Sequence, residues 1–152
     1  MRTSEACAVR IVRLLLDNFT VIMLIELRMP PPALWTIDVY ETEVGIKLAW
    51  VFMQGLQGRD QAEAIALVKL LEERGNTLRR PHSGALGDGL FELRGKQVRI
   101  FYMFLPNRVV VLLDGETKKR DDIPVKTLER VRSCQKEVAR RGRAGRRQEK
   151  TR

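Results

Sequence analysis

Three short apolar runs follow one another between residues 90 and 113 with only tight turns between them. Leu90–Arg94 and Val98–Leu105 flank the turn Gly95–Gln97, and Arg108–Leu113 follows Pro106-Asn107. Phe91 and Leu93 alternate with polar neighbours, and Val98, Ile100, Tyr102 and Phe104 keep the same period of two, the mark of strands. Residues 108–113, "RVVVLL", are apolar almost throughout, which predicts a central strand. Strands joined by such short turns can only pair antiparallel, so the chain is committed to a meander. Arg94 and Arg99 lie inside these strands, where arginine serves either solubility or a site.

The rest of the chain is arranged around that meander. "WTIDVYETE" predicts a first strand, with Trp35, Ile37 and Val39 on one face. Residues 45–56 read as an apolar helix, and "GRDQAEAIALVKLLEERGN" as a second. In the latter, Asp60 is the expected cap with Glu63 three residues on, and Ile65, Val68 and Leu71 form the expected buried stripe, flanked by Ala64 and Leu67. Arg74 suits the negative end of this helix, and Gly75-Asn76 its left-handed stop. The stretch "TLRRPHSGALGDG" reads as a loop. A last helix begins at Pro124 with a thin stripe of Leu128, Val131 and Val138, and residues past Arg140 are expected to be mobile. The expected domains are an extension at 1–30, a folded body at 31–140 and a basic flexible tail at 141–152.

Charge separates the body from the C-terminal segment. Residues 1–116 hold 14 Lys/Arg against 14 Asp/Glu, while residues 117–152 hold 14 against 5 and carry the whole net charge of +9. That asymmetry suits a polyanionic partner, a nucleic acid or ribosome ahead of a membrane surface. Cys7 and Cys134 are far apart, without metal-ligand spacing, so neither a disulfide framework nor a zinc site follows, and a cytoplasmic setting with inert thiols is expected. His82 is the single histidine; in "RRPHSG" it reads as surface loop rather than catalytic group. "IVRLLLDNFTVIMLIEL", residues 11–27, is broken by charge and too short for a membrane span. It reads either as an amphipathic helix or as an upstream extension with Met29 as the natural start. No phosphate-binding glycine loop is visible; Gly84, Gly87 and Gly89 are turn glycines.

At the level of short motifs the chain resembles the RelE/ParE superfamily of toxin–antitoxin toxins, in its HigB-like, phage-derived branch. The resemblance covers roughly residues 35–135. It rests on Leu86, Gly89, Leu90, Glu92, Leu93 and Arg94 as an L-x-x-G-L-x-E-L-R signature, on "RIFY" in the next strand, and on paired lysines after "VVVLLDGET". It implies a small α+β fold, a twisted antiparallel sheet of about four strands with helices packed on one side and a basic C-terminal helix. It implies ribosome-dependent cleavage of messenger RNA, with no cofactor or metal. It also implies a cognate antitoxin, commonly a helix-turn-helix repressor, with the ribosome and mRNA as the other partners. A ParE-like gyrase inhibitor shares the fold without RNA chemistry, and a non-catalytic basic nucleic-acid-binding protein is the other alternative.

The resemblance points to Arg94, Arg99, Tyr102, Lys118 and Lys119 as catalytic candidates, and Arg79, Arg80, Lys96 and Arg120 are the candidates for RNA contact. Arginine grips phosphate with a planar fork and stays charged at working pH. RNA brings its own nucleophile, the 2′-hydroxyl, so a protein need only align it, move two protons and hold the developing charge. Two features stand against a simple cage. Alternation puts Arg99 with Phe101 and Met103, but Tyr102 with Val98 and Ile100, so either a bulge or strong twist unites them or one is structural, Arg99 as a salt-bridge partner or Tyr102 as a core aromatic. Asp114 and Glu116 stand where relatives often carry histidine and phenylalanine, and two acids repel phosphate unless they point away.

Overall fold

The structure is a computed structural model that describes residues 34–149, with side chains through residue 142. The extension expected at 1–30 lies outside the described residues. The elements run β1 (Thr36–Val39), α1 (Leu48–Gly55), α2 (Gly58–Arg74), a 3₁₀ turn (Gly75–Thr77), β2 (Ser83–Gly87), β3 (Leu90–Arg94), β4 (Val98–Leu105), β5 (Val109–Thr117) and α3 (Val125–Glu149).

The meander forms as the alternation dictates: β3, β4 and β5 pair antiparallel in sequence, with Arg94 opposite Arg99 and Arg99 opposite Glu116. Two further strands complete a five-stranded sheet in the order β1-β5-β4-β3-β2. β1 lies parallel to β5, with Thr36 opposite Val109, which makes the sheet mixed rather than purely antiparallel. β2 is the strand hidden in the expected loop. Its glycines suggested a turn, yet Ser83, Gly84 and Ala85 pair with Leu93, Glu92 and Phe91, and the turn proper is Gly87–Asp88–Gly89, all at positive φ.

Helices cover both faces of the sheet, not one. β4 is buried along six consecutive residues, so neither face can be left to water. Leu93, Ile100, Tyr102 and Leu112 face Ala49 of α1 and Ala64, Leu67 and Leu71 of α2. Leu90, Phe101, Met103, Val111 and Leu113 face Val131, Cys134 and Val138 of α3. The α2 stripe is rotated from the expected one: Ala64, Leu67 and Leu71 are inside, while Ile65 is 53% exposed. Asp60 falls in the first turn, the cap position being Gln57. α3 continues as helix to Glu149, beyond the expected end at Arg140, through a stretch in which helix-favouring Arg, Ala, Gln and Glu outnumber Gly142 and Gly145. Among the described residues no helix is long and apolar enough to cross a membrane.

Two contacts fix the helices to the sheet. A Cβ at Gly115 of β5 would stand 2.0 Å from the Phe52 ring of α1, so the aromatic lies directly on the strand backbone. On the other face the Tyr40 hydroxyl donates to Glu137 Oε2 at 2.5 Å, and Arg141 donates to Glu137 and to the Glu41 carbonyl while its guanidinium covers the Tyr40 ring. The Tyr40 bond and the Arg141 charge hold the Glu137 carboxyl below the usual range, against a smaller opposing push from burial.

Gly115→Ala is expected to cost about 1–3 kcal/mol in urea unfolding, because Phe52 must be displaced. For Glu137 the folded state favours the carboxylate, so its contribution is present above the unfolded pKa of about 4.3 and is lost as pH falls through the lowered folded value. Denaturant midpoints measured from pH 7 down to pH 3 should therefore fall less steeply for Glu137→Gln than for the wild type.

Candidate active site

The end of the sheet where β3 turns into β4 is built around one buried guanidinium. Arg99 is 1% exposed. Its Nε lies 2.7 Å from Glu92 Oε2 on β3, and its NH1 donates to Glu116 Oε1 on β5 at 2.8 Å. Its NH2 donates to the Asp121 carbonyl at 2.7 Å, in the loop that leads to α3. The Arg99–Glu92 contact is an ion pair without a well-aimed hydrogen bond, since the N–H points off the line to the oxygen. At 1% exposure, with the guanidinium enclosed by Glu92, Glu116 and the Asp121 carbonyl, Arg99 is out of a substrate's reach. The reading of Arg99 as catalytic is corrected: it is the internal counterion of two carboxylates.

Tyr102 is likewise enclosed, on the opposite face of β4. Its hydroxyl meets Ser83 Oγ at 2.6 Å, and burial raises its pKa, an effect the Ser83 bond and nearby Arg79 partly offset. A bulge does occur, but on β5, where Phe101 pairs with Asp114 and Tyr102 with Leu112, leaving Leu113 extra. It therefore leaves Arg99 and Tyr102 on different faces. The bulge lies beside Asp114, whose carboxylate takes the Gly115 N–H at 2.8 Å and Arg130 of α3 at 2.6 Å. Asp114 and Glu116 thus both have cationic partners within the fold.

Beside the Arg99 cluster an open cleft of about 770 Å³ gathers Arg80, Arg94, Lys96 and Lys118, with Glu63, Pro81, His82 and Gly95. Four of the nine residues proposed from sequence meet here. Arg94 projects from the last residue of β3, its amide donating to the His82 carbonyl at 2.8 Å. Its Nε is 3.5 Å from Glu92 Oε1, so the carboxylate that answers Arg99 also steadies Arg94. The terminal nitrogens of Arg94 hold no hydrogen bond among the described residues, and its side chain is 25% exposed. Lys118 reaches the Gly95 carbonyl at 3.4 Å and Asp121 at 4.0 Å, loose contacts that leave donors for a ligand. Glu63 of α2 accepts the Lys96 amide at 2.9 Å, and its carboxylate lies so close over Gly95 that an added Cβ would be 2.5 Å away.

The other proposed residues are distributed elsewhere. Arg79 and Tyr102 line a neighbouring hollow that shares Arg80 with the cleft. Lys119 and Arg120 line a third, of about 510 Å³, with Glu116, Asp122 and Pro124. His82, a surface-loop residue by sequence, also lines the cleft, a placement that depends on strand β2 and carries no signal in the local sequence. Four cations and an imidazole gathered in an open cleft are equipped to bind a phosphodiester and to move a proton beside it. Among the described residues no three His, Cys, Asp or Glu side chains are grouped as metal ligands.

Residues 52–136, from α1 to the middle of α3, match a protein-family model described as phage-derived protein Gp49-like (DUF891). No curated protein matches the chain. Among solved structures, the isolated RelE toxin of E. coli is similar at 16% identity and a TM-score of 0.40, over 64% of this chain and 98% of that one.

Replacing Arg99 by Met should cost about 3–5 kcal/mol of unfolding free energy, since buried Glu92 and partly buried Glu116 would lose their shared cation. Arg94→Ala should cost less than about 1 kcal/mol, because Glu92 keeps Arg99. Guanidinium unfolding of both variants checks that the two neighbouring arginines do different work.

Proposed function

The chain belongs to the phage-derived Gp49-like family, the RelE/HigB-like toxin branch that the motif ending at Arg94 resembles, and from that premise we propose that it is a toxin that cleaves messenger RNA on the ribosome. The observation that supports this reading is the convergence of Arg80, Arg94, Lys96 and Lys118 with His82 in one open cleft. Arg94 and Lys118 bind the scissile phosphate and hold the charge that builds on its oxygens as the ribose 2′-oxygen attacks. Arg80 and Lys96 take the neighbouring phosphates. His82 carries the proton between the attacking 2′-hydroxyl and the leaving 5′-oxygen, imidazole being the side chain that ordinarily exchanges a proton near neutrality. The bond from phosphorus to the 5′-oxygen breaks as that to the 2′-oxygen forms, and the products are a 2′,3′-cyclic phosphate and a free 5′-hydroxyl. Lys119 and Arg120, in their separate hollow, contact RNA away from the reacting phosphate.

A toxin of this type works against an antitoxin. The cations of the cleft suit an acidic segment of that partner, which would silence the toxin by occupying the phosphate positions.

The test is cleavage of a translated message by purified protein with primed ribosomes, read by primer extension. Arg94→Ala should lower the rate by about 10²–10³-fold, the usual effect of removing one charge-stabilising donor, and His82→Gln should lower it by about 10²–10⁴-fold, the usual worth of a general acid–base group. Wild-type cleavage by Arg94→Ala would falsify the assignment. Intact message alongside damaged DNA would indicate a gyrase inhibitor instead.

A further inference from the structure

Across Arg80 from the cleft lies a second hollow of about 700 Å³ whose chemistry differs from its neighbour's. One wall is aromatic. Phe91 and Tyr102 are stacked with centroids 5.6 Å apart, and Phe104 stands edge-on to both, at 5.2 and 5.5 Å. Phe91 and Phe104 remain half-buried, so their rings are not fully covered by the core. The rim is a guanidinium already held in place: Arg79 NH1 donates to the Asn76 carbonyl at 2.7 Å and to the Leu78 carbonyl at 3.3 Å. The remaining Arg79 donors hold no hydrogen bond among the described residues. At the floor lie Ser83 and Tyr102, which are bonded to each other and are 5% and 1% exposed.

Phosphate asks for concentrated positive charge, which the cleft has. This hollow instead offers the half-buried rings of Phe91 and Phe104 and one planar cation, Arg79, fixed at its edge. That set matches a flat heterocycle with a polar edge: stacking is indifferent to which base is present, and edge groups select among bases. Burial favours the uncharged Tyr102 hydroxyl, so the floor repels no electron-rich ring.

We propose that the hollow is a nucleobase subsite, which takes one unstacked base of an RNA strand while Arg80 and the Arg94 cleft hold the adjoining phosphates. The inference rests on RNA being the partner, but it adds a recognition element that phosphate contacts cannot supply, since those carry no sequence information.

The full-length protein, isotopically labelled, is titrated with AMP, GMP, CMP, UMP and with ribose 5-phosphate, which has the same phosphate and sugar but no base. At least one nucleotide should bind about tenfold or more tightly than ribose 5-phosphate, as expected for one stacked base. Arg79→Ala and Phe91→Leu should each bring that ratio toward unity. Arg94→Ala should weaken nucleotides and ribose phosphate together and leave the ratio unchanged. Equal binding of nucleotides and ribose 5-phosphate by the wild type, no binding of any nucleotide, or an intact ratio in both hollow variants overturns the proposal. The nuclease reading is scored separately by message cleavage. A protein that cuts with no base ratio keeps its activity and loses the subsite, and one that shows the ratio without cutting keeps the subsite and loses the nuclease.

Discussion

A guanidinium placed out of water between three strands is the constraint on which the rest of the site depends. Arg99 answers Glu92 on β3, Glu116 on β5 and a carbonyl of the loop before α3, so four segments of chain meet at one cation. Such a cluster gives little net stability, because desolvating the ions offsets most of their attraction; what it enforces is arrangement. A slip of β4 by one residue would carry Arg99 to the other face, toward Leu93, Leu112 and Leu71, and leave both carboxylates without a counterion. The ions therefore select the register that the two-faced apolar character of β4 leaves weakly defined.

That register in turn aims the cleft. Arg94 sits directly opposite Arg99, and two like charges in such a pair repel. Glu92 lies against both and makes the juxtaposition tolerable. Arg94 is thus held by a carboxylate that is itself fixed, and its terminal nitrogens are left for a ligand. Positioning of this kind costs a bound phosphate little, since the side chain has been ordered in advance. The same logic applies to Lys96, whose backbone is tied to α2 through Glu63.

The alternation of residues 90–113 was sufficient to anticipate the meander and to show that Arg99 and Tyr102 face opposite ways, because a period of two leaves no freedom at that scale. The sequence was mute where tertiary contact decides. Ile65 and Leu67 are equally apolar, and only the sheet beneath α2 determines that Leu67 turns inward and Ile65 outward. The glycines of β2 carry turn propensity, and pairing with β3 overrides it. An arginine on a strand reads the same whether it serves a ligand or two hidden carboxylates. Glu92 and Glu116 are two and seventeen residues from their neighbours in the cluster, Arg94 and Arg99, and nothing local announces that they converge. His82 looked like a loop residue because it is one; its loop borders the cleft only once β2 has paired.

The charge balance of the body illustrates how composition misleads about a surface. Residues 1–116 are neutral by count, which suggests no attraction for a polyanion. In the fold, however, acids and bases are not equally placed. Glu92 and Asp114 are buried, Glu116 is answered by Arg99, and Glu63 is engaged by a backbone amide. The cations at Arg79, Arg80 and Lys96 stay exposed. Carboxylates turned inward still count toward net charge, but a ligand in the cleft meets them at reduced strength, through partners that cancel much of their field. The surface that RNA would encounter is therefore more positive than the sum of its residues, and the asymmetry is produced by folding.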